Sequence, residues 1–231
     1  MTVTARLSPE EAEEGKLNDL YQPVAALTRS GPCTADIIHR YEADVVTEAE
    51  KSPFNNPKSK FLFLAERDIG ACYLQLQKFS EAEASFKKAM LYVSVWPGTN
   101  DTGYPILYRQ IATAQIGQQR LTEAEQSLLK SVALFEPQIA SGEKADAQLN
   151  AHLTRNYRGS RCRSYSLLAV VYFREGRTQD SLATIEKAWI EVTKYDLDPT
   201  YYNDVVSVGK RIADASEDAS AKQAWAQRNS K

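Results

Sequence analysis

One pattern of six residues occurs three times along the chain with identical steps, and it restricts the fold more than any other feature. The first copy is Ile69, Gly70, Tyr73, Ala82, Phe86 and Ala89. The second is Ile111, Ala112, Gln115, Ala124, Leu128 and Ser131, and the third is Leu168, Ala169, Tyr172, Ser181, Ile185 and Ala188. Each runs apolar, small, aromatic or polar, small, large apolar, small. The flanks agree as well. An acid precedes the middle small residue (Glu81, Glu123, Asp180), a lysine precedes the last one (Lys88, Lys130, Lys187), and a base sits between the halves (Lys78, Arg120, Arg177). Steps of three and four place each half on one face of a helix. Small residues let two helix backbones approach, and the large residue beside them fills the remaining space. Each copy is therefore a helical hairpin.

In these segments, Asp68 to Met90, Gln110 to Val132 and Leu167 to Trp189, the chain resembles the tetratricopeptide repeat family. Gln115, where an aromatic residue is usual, Ser131 and Ser181 depart from the family pattern. The resemblance implies an all-α, right-handed solenoid of antiparallel helical hairpins that holds a protein partner and is not an enzyme. The copies start 42 and 57 residues apart. Against a unit of about 34 residues, this leaves insertions of about 8 and 23. The first, Val95 to Tyr104, reads as a Pro-Gly and Asn-Asp loop. The second carries Ala145, Leu149, Leu153 and Tyr157 on one helical stripe. It predicts a lengthened first helix in the third hairpin, either continuous from about Lys144 to Glu175 or broken near Gly159.

Both ends read as helical. Ser8-Pro9-Glu10-Glu11 starts a helix to about Arg29 that Pro23 is able to kink, and Thr34 caps a second helix to about Lys51. Asp198-Pro199 starts another to about Ala215, and a short polar helix from Ala219 to Gln227 closes the array. The expectation is a single domain over 1–231 with about five hairpins: 8–52, 57–94, 104–138, 143–195 and 198–229. Scarce Gly and Pro, 10 and 9 residues, suit helices better than a β fold.

Composition narrows the function classes. A net charge of −2 does not attract polyanions, so no nucleic acid is expected. No run approaches 18 apolar residues, and Met1 to Gly15 carries four Glu, so neither a membrane span nor a signal peptide is read and a cytoplasmic location is expected. Cys33, Cys72 and Cys162 are odd in number and widely spaced, which reads as neither a disulfide framework nor a metal knuckle. His39 and His152 have no second ligand beside them, and no phosphate loop or nucleophile elbow is present. Neither a cofactor nor catalysis is expected. Glu66, Arg67 and Asp68 read as a solvated, salt-bridged helix face.

In this family the first helix of each hairpin lines a concave groove. The residues that map there are Leu64, Arg67, Ala71 and Leu74 in the first copy. In the second they are Ile106, Arg109, Thr113 and Ile116, and in the third Arg163, Ser166, Val170, Phe173 and Arg174. Apolar residues interrupted by arginines suit a peptide with acidic and apolar side chains. Ala71 and Thr113 stand where the family's carboxylate-clamping subset has Asn, so that clamp is not expected. Arg155, Arg158, Arg161 and Arg163 form a second basic cluster able to grip an acidic partner or to cover a solvated helix face. The alternatives to a peptide-binding scaffold are a self-association or sensory module of a larger regulatory protein, in which exposed apolar residues such as Trp225 stack copies of the chain, and a small-molecule binder or enzyme using the arginine clusters with Tyr165 or Tyr172.

Overall fold

A computed structural model describes residues 7–93, 103–144 and 147–229, with side chains described over 7–93, 103–141 and 151–229. All regular structure among these residues is helical. Residues 95–102 of the first insertion, together with Ala145 and the Leu149 side chain, lie outside them. The chain packs as two compact units divided at Gly103.

The first unit begins with α1 (Pro9–Ser30), whose start is a reciprocal cap. Ser8 Oγ accepts from the Glu11 amide at 3.2 Å, and Glu11 Oε2 accepts from the Ser8 amide at 2.7 Å. α2 (Ala35–Arg40), capped by Thr34, runs into a π-helical segment at Tyr41–Val46 and then α3 (Thr47–Lys51). The wider π turn was not expected from the sequence. It places Tyr41 and Val45 fully inside the core. α4 (Asn55–Gln75) and α5 (Phe79–Val93) form the first hairpin of the repeating pattern. A Cβ built on Gly70 would lie 2.6 Å from the Phe86 ring, so the small residue is dictated by close approach of the two helices.

Two expectations are corrected in this unit. Cys33 and Cys72 are joined in a disulfide that ties the loop before α2 to α4, while Cys162 is a buried free thiol. The pairing depends on tertiary contact between residues 39 apart, which spacing does not reveal. Glu66-Arg67-Asp68 is not a solvated face. Glu66 is 6% exposed and pairs with Lys88 at 3.4 Å, and Asp68 accepts from Tyr21 and Tyr41 at 2.7 and 3.1 Å.

The second unit holds α6 (Gly103–Gly117), α7 (Leu121–Lys144), α8 (Ala147–Arg174), α9 (Thr178–Lys194), α10 (Pro199–Ala215) and α11 (Ala219–Ala226). α7 continues past Pro137 and beyond the expected end at 138, with Ile139 packed inside. α8 is unbroken at Gly159. That glycine is required because a Cβ there would meet the Tyr201 ring at 2.3 Å. Ala112, Leu128 and Leu168 share one core cluster, and Ile185, Ala188, Val205 and Ile212 share the next. Trp225, expected as an exposed stacking residue, is 3% exposed and packs on Trp189 with ring centroids 5.9 Å apart. It closes the core over Gly209.

The three departures from the repeat pattern are each satisfied by a hydrogen bond. Ser127 Oγ donates to Gln115 Oε1 at 2.9 Å, Ser131 Oγ to the Pro105 carbonyl at 2.7 Å, and Ser181 Oγ to the Ala169 carbonyl at 2.7 Å. The turns inside the hairpins are also alike. Gln77, Gln119 and Gly176 adopt φ of 57°, 62° and 78°. The next amide, of Lys78, Arg120 or Arg177, donates back to Tyr73, Gln115 or Tyr172 at 2.8–2.9 Å.

Candidate functional site

The trough between α8 and α10 in the second unit collects more of the expected groove residues than any other place. At one end is a largely apolar cavity of about 620 Å³, in which Val170 and Phe173 of α8 face Val208 and Ile212 of α10, with Arg174 and Arg211 on its edge. Next to it, sharing Val208, is a polar cavity of about 410 Å³ where Arg109 of α6, Arg163 and Ser166 of α8 and Asp204 and Ser207 of α10 meet. Four arginines face two aspartates, Asp204 and Asp214, across the two cavities, so the trough is locally basic on a chain whose net charge is −2.

Among the described residues, Arg109 is held by one side-chain bond, from Nη1 to the Ser160 carbonyl at 3.2 Å. No carboxylate pairs with it among the described residues. Burial, and then the neighbouring Arg163 guanidinium, pull its pKa down to about 10, so it still carries its proton at neutral pH. Arg163 lies over the Tyr201 ring at 4.6 Å and donates to Asp204 at 3.1 Å. Ser166 is 6% exposed, and its Oγ has no hydrogen-bond partner among the described residues.

The other expected residues are placed differently. Arg67 donates twice to Asp68, at 2.8 and 2.9 Å, and serves the Tyr21–Asp68–Tyr41 network inside the first unit. Leu64 packs against that unit's core and Leu74 is half-buried. Ile106 is half-buried on α6, and the Thr113 hydroxyl donates to the Arg109 carbonyl at 3.0 Å. Arg158, in the basic cluster of α8, is 5% exposed. It donates to Glu191 Oε1 at 3.0 Å and lies over Tyr195 at 3.5 Å. Arg161 donates to the same carboxylate at 2.5 and 3.1 Å and to Glu136 at 2.5 Å. These two arginines fasten α8 to α9 and α7. Arg155 is exposed beside a polar cavity with His152, Asp196 and Asp198.

Sequence reasoning missed the wall contributed by α10, taken there only as a cap. The signal was a second stripe: Val208, Arg211 and Ala215 recur at three and four steps beside the core stripe of Val205, Gly209 and Ile212. Among the described residues, no group of three His, Cys, Asp or Glu side chains is placed to hold a metal ion, and no helix is long and apolar enough to cross a membrane.

Residues 61–136 match the family model of the tetratricopeptide repeat. The match takes in the first two copies of the pattern. No curated protein matches the chain.

Proposed function

We propose that this chain, which carries tetratricopeptide repeats, is a protein–protein interaction scaffold whose partner lies along the trough between α8 and α10. Such repeats generally mediate protein–protein interaction. The observation that supports the trough is the cavity of about 620 Å³ lined by Val170, Phe173 and Val208 between arginines at 174 and 211. Apolar side chains in a concave site supply affinity by leaving water, and charges at its edge set orientation and register. A peptide or partner segment with apolar and acidic side chains suits that lining.

The test is selection of a displayed random peptide library on the purified chain, followed by affinity measurement of the enriched peptides on wild type and on Val208→Glu. The substitution puts a carboxylate where both cavities meet, at a half-buried residue that packs on the edge of the core, so the helical content of the variant is checked alongside binding. Loss of binding with an unchanged helical circular dichroism spectrum is expected. Peptides that bind both proteins equally refute the trough.

A further inference from the structure

Resting on that reading, we infer that the trough reads two points of an extended partner segment: a large apolar side chain in the cavity beside Val170 and a side-chain carboxylate in the cavity beside Ser166, two residues away.

The carboxylate follows from three independent features of the polar cavity. Arg109 brings a guanidinium that, among the described residues, donates from its side chain to one carbonyl, that of Ser160, out of five N–H donors. Ser166 brings a hydroxyl with no partner among the described residues, on a side chain more than nine-tenths buried. A buried polar atom without a hydrogen bond is costly, and a ligand that accepts from it removes that cost. Arg163 is already matched to Asp204, which shows that the cavity's edge accommodates a carboxylate. A planar guanidinium beside a hydroxyl donor suits a carboxylate.

The spacing follows from α8. Val170 lines the apolar cavity and Ser166 the polar one, one helical turn apart. Four residues of helix rise roughly 6 Å. In an extended segment, side chains on one face recur every two residues, roughly 6.6 Å. The two cavities are thus spaced for positions i and i+2 of an extended chain. The two cavities adjoin at Val208, so one segment spans both, and amidated peptides separate an internal side-chain acid from a terminal carboxylate.

The experiment uses fluorescein-labelled, amidated heptapeptides in an Ala/Ser background. Each carries one Phe and one Glu at spacings from one to four residues, in both orders, and binding to the full chain is read by fluorescence anisotropy. Tightest binding at a spacing of two is expected, with a loss of about tenfold or more when Glu is replaced by Gln. Arg109→Gln should cost the Glu peptide a similar factor and leave the Gln peptide unchanged. Asp204→Asn removes a competing charge from an exposed position and should tighten the Glu peptide. It also keeps the idea testable should Arg109→Gln fold poorly. Equal affinity for Glu and Gln peptides on wild type overturns the inference. If Val208→Glu still abolishes that binding, the trough stands and only the acid is wrong. A free C-terminal acid that binds as well as an internal Glu also overturns it, as does the absence of binding by any peptide of the series.

Discussion

Exchanging residues at the second and third hairpin turns should move stability in opposite directions by the same amount. Gln119 and Gly176 occupy equivalent places, at φ of 62° and 78°, and the amide after each returns to a carbonyl five residues earlier. A left-handed conformation costs an L-residue roughly 1–2 kcal/mol, and glycine adopts it freely. Part of that gain is offset by glycine's larger entropy when unfolded, which leaves about 1 kcal/mol. The Gln119 side chain is exposed, and a Cβ on Gly176 would meet no atom within 4 Å, so neither exchange disturbs packing. Gln119→Gly should therefore raise stability by about 1 kcal/mol, and Gly176→Gln should lower it by about as much. Both turns lie in the unit from Tyr104 onward, so one urea transition followed by far-ultraviolet circular dichroism reports both. The midpoint should shift with an unchanged slope, equivalent to roughly 2–4 °C in melting temperature. If Gly176→Gln leaves the midpoint unmoved, the left-handed geometry does not set the stability of these turns. Destabilisation by Gln119→Gly would refute the reasoning outright.

Three further outcomes are expected. Burial, and then the Asp68 charge, raise the Tyr21 and Tyr41 phenols above their ordinary value of 10.0. The folded state keeps protons that the unfolded chain releases, so their stabilising contribution is full below about pH 10 and is lost as pH rises beyond it. Urea midpoints between about pH 8 and 11 should show this fall, and Tyr21→Phe with Tyr41→Phe should flatten it. Glu191→Ala leaves the Arg158 and Arg161 guanidinia buried without their shared carboxylate and should cost about 3–5 kcal/mol; a loss below about 1 kcal/mol would mean that Glu136 or solvent suffices. Unfolded, unreduced protein should titrate one thiol per chain, Cys162, and reduction should lower the first unit's stability by up to about 4 kcal/mol for a bridge spanning 39 residues. Three titratable thiols without reductant would refute the bridge.

The repeating hairpins were legible because close helix packing demands small residues at fixed steps, and Gly70, Ala112 and Ala169 meet that demand. The caps at Ser8, Thr34 and Asp198 were legible for a similar reason: they are local, and each bonds an amide two or three residues on. What escaped depends on the third dimension. Gln77 and Gln119 carry no turn signal, yet they take the conformation that Gly176 advertises. The arginines of α8 show helical spacing, but spacing does not distinguish solvent from an acid 30 residues away, so Arg161 looked like a surface charge. Gly159 read as a possible break because its reason, the Tyr201 ring, comes from a different helix. Of the trough, the α8 wall was named from the repeat register, whereas the opposing wall on α10 lay outside the recognised copies.

The Cys33–Cys72 bond also changes how the first unit comes apart when cut. It closes a covalent ring that holds all of α2 and α3 and most of α4, with α1 hanging from it. A protease that nicks the turn at Ser52–Phe54, or any other peptide bond within the ring, opens the loop but releases nothing. The two pieces stay joined through sulfur and migrate together until reductant is added. Fragment maps read without reduction will therefore show the amino-terminal hairpin as intact where the backbone has already been severed.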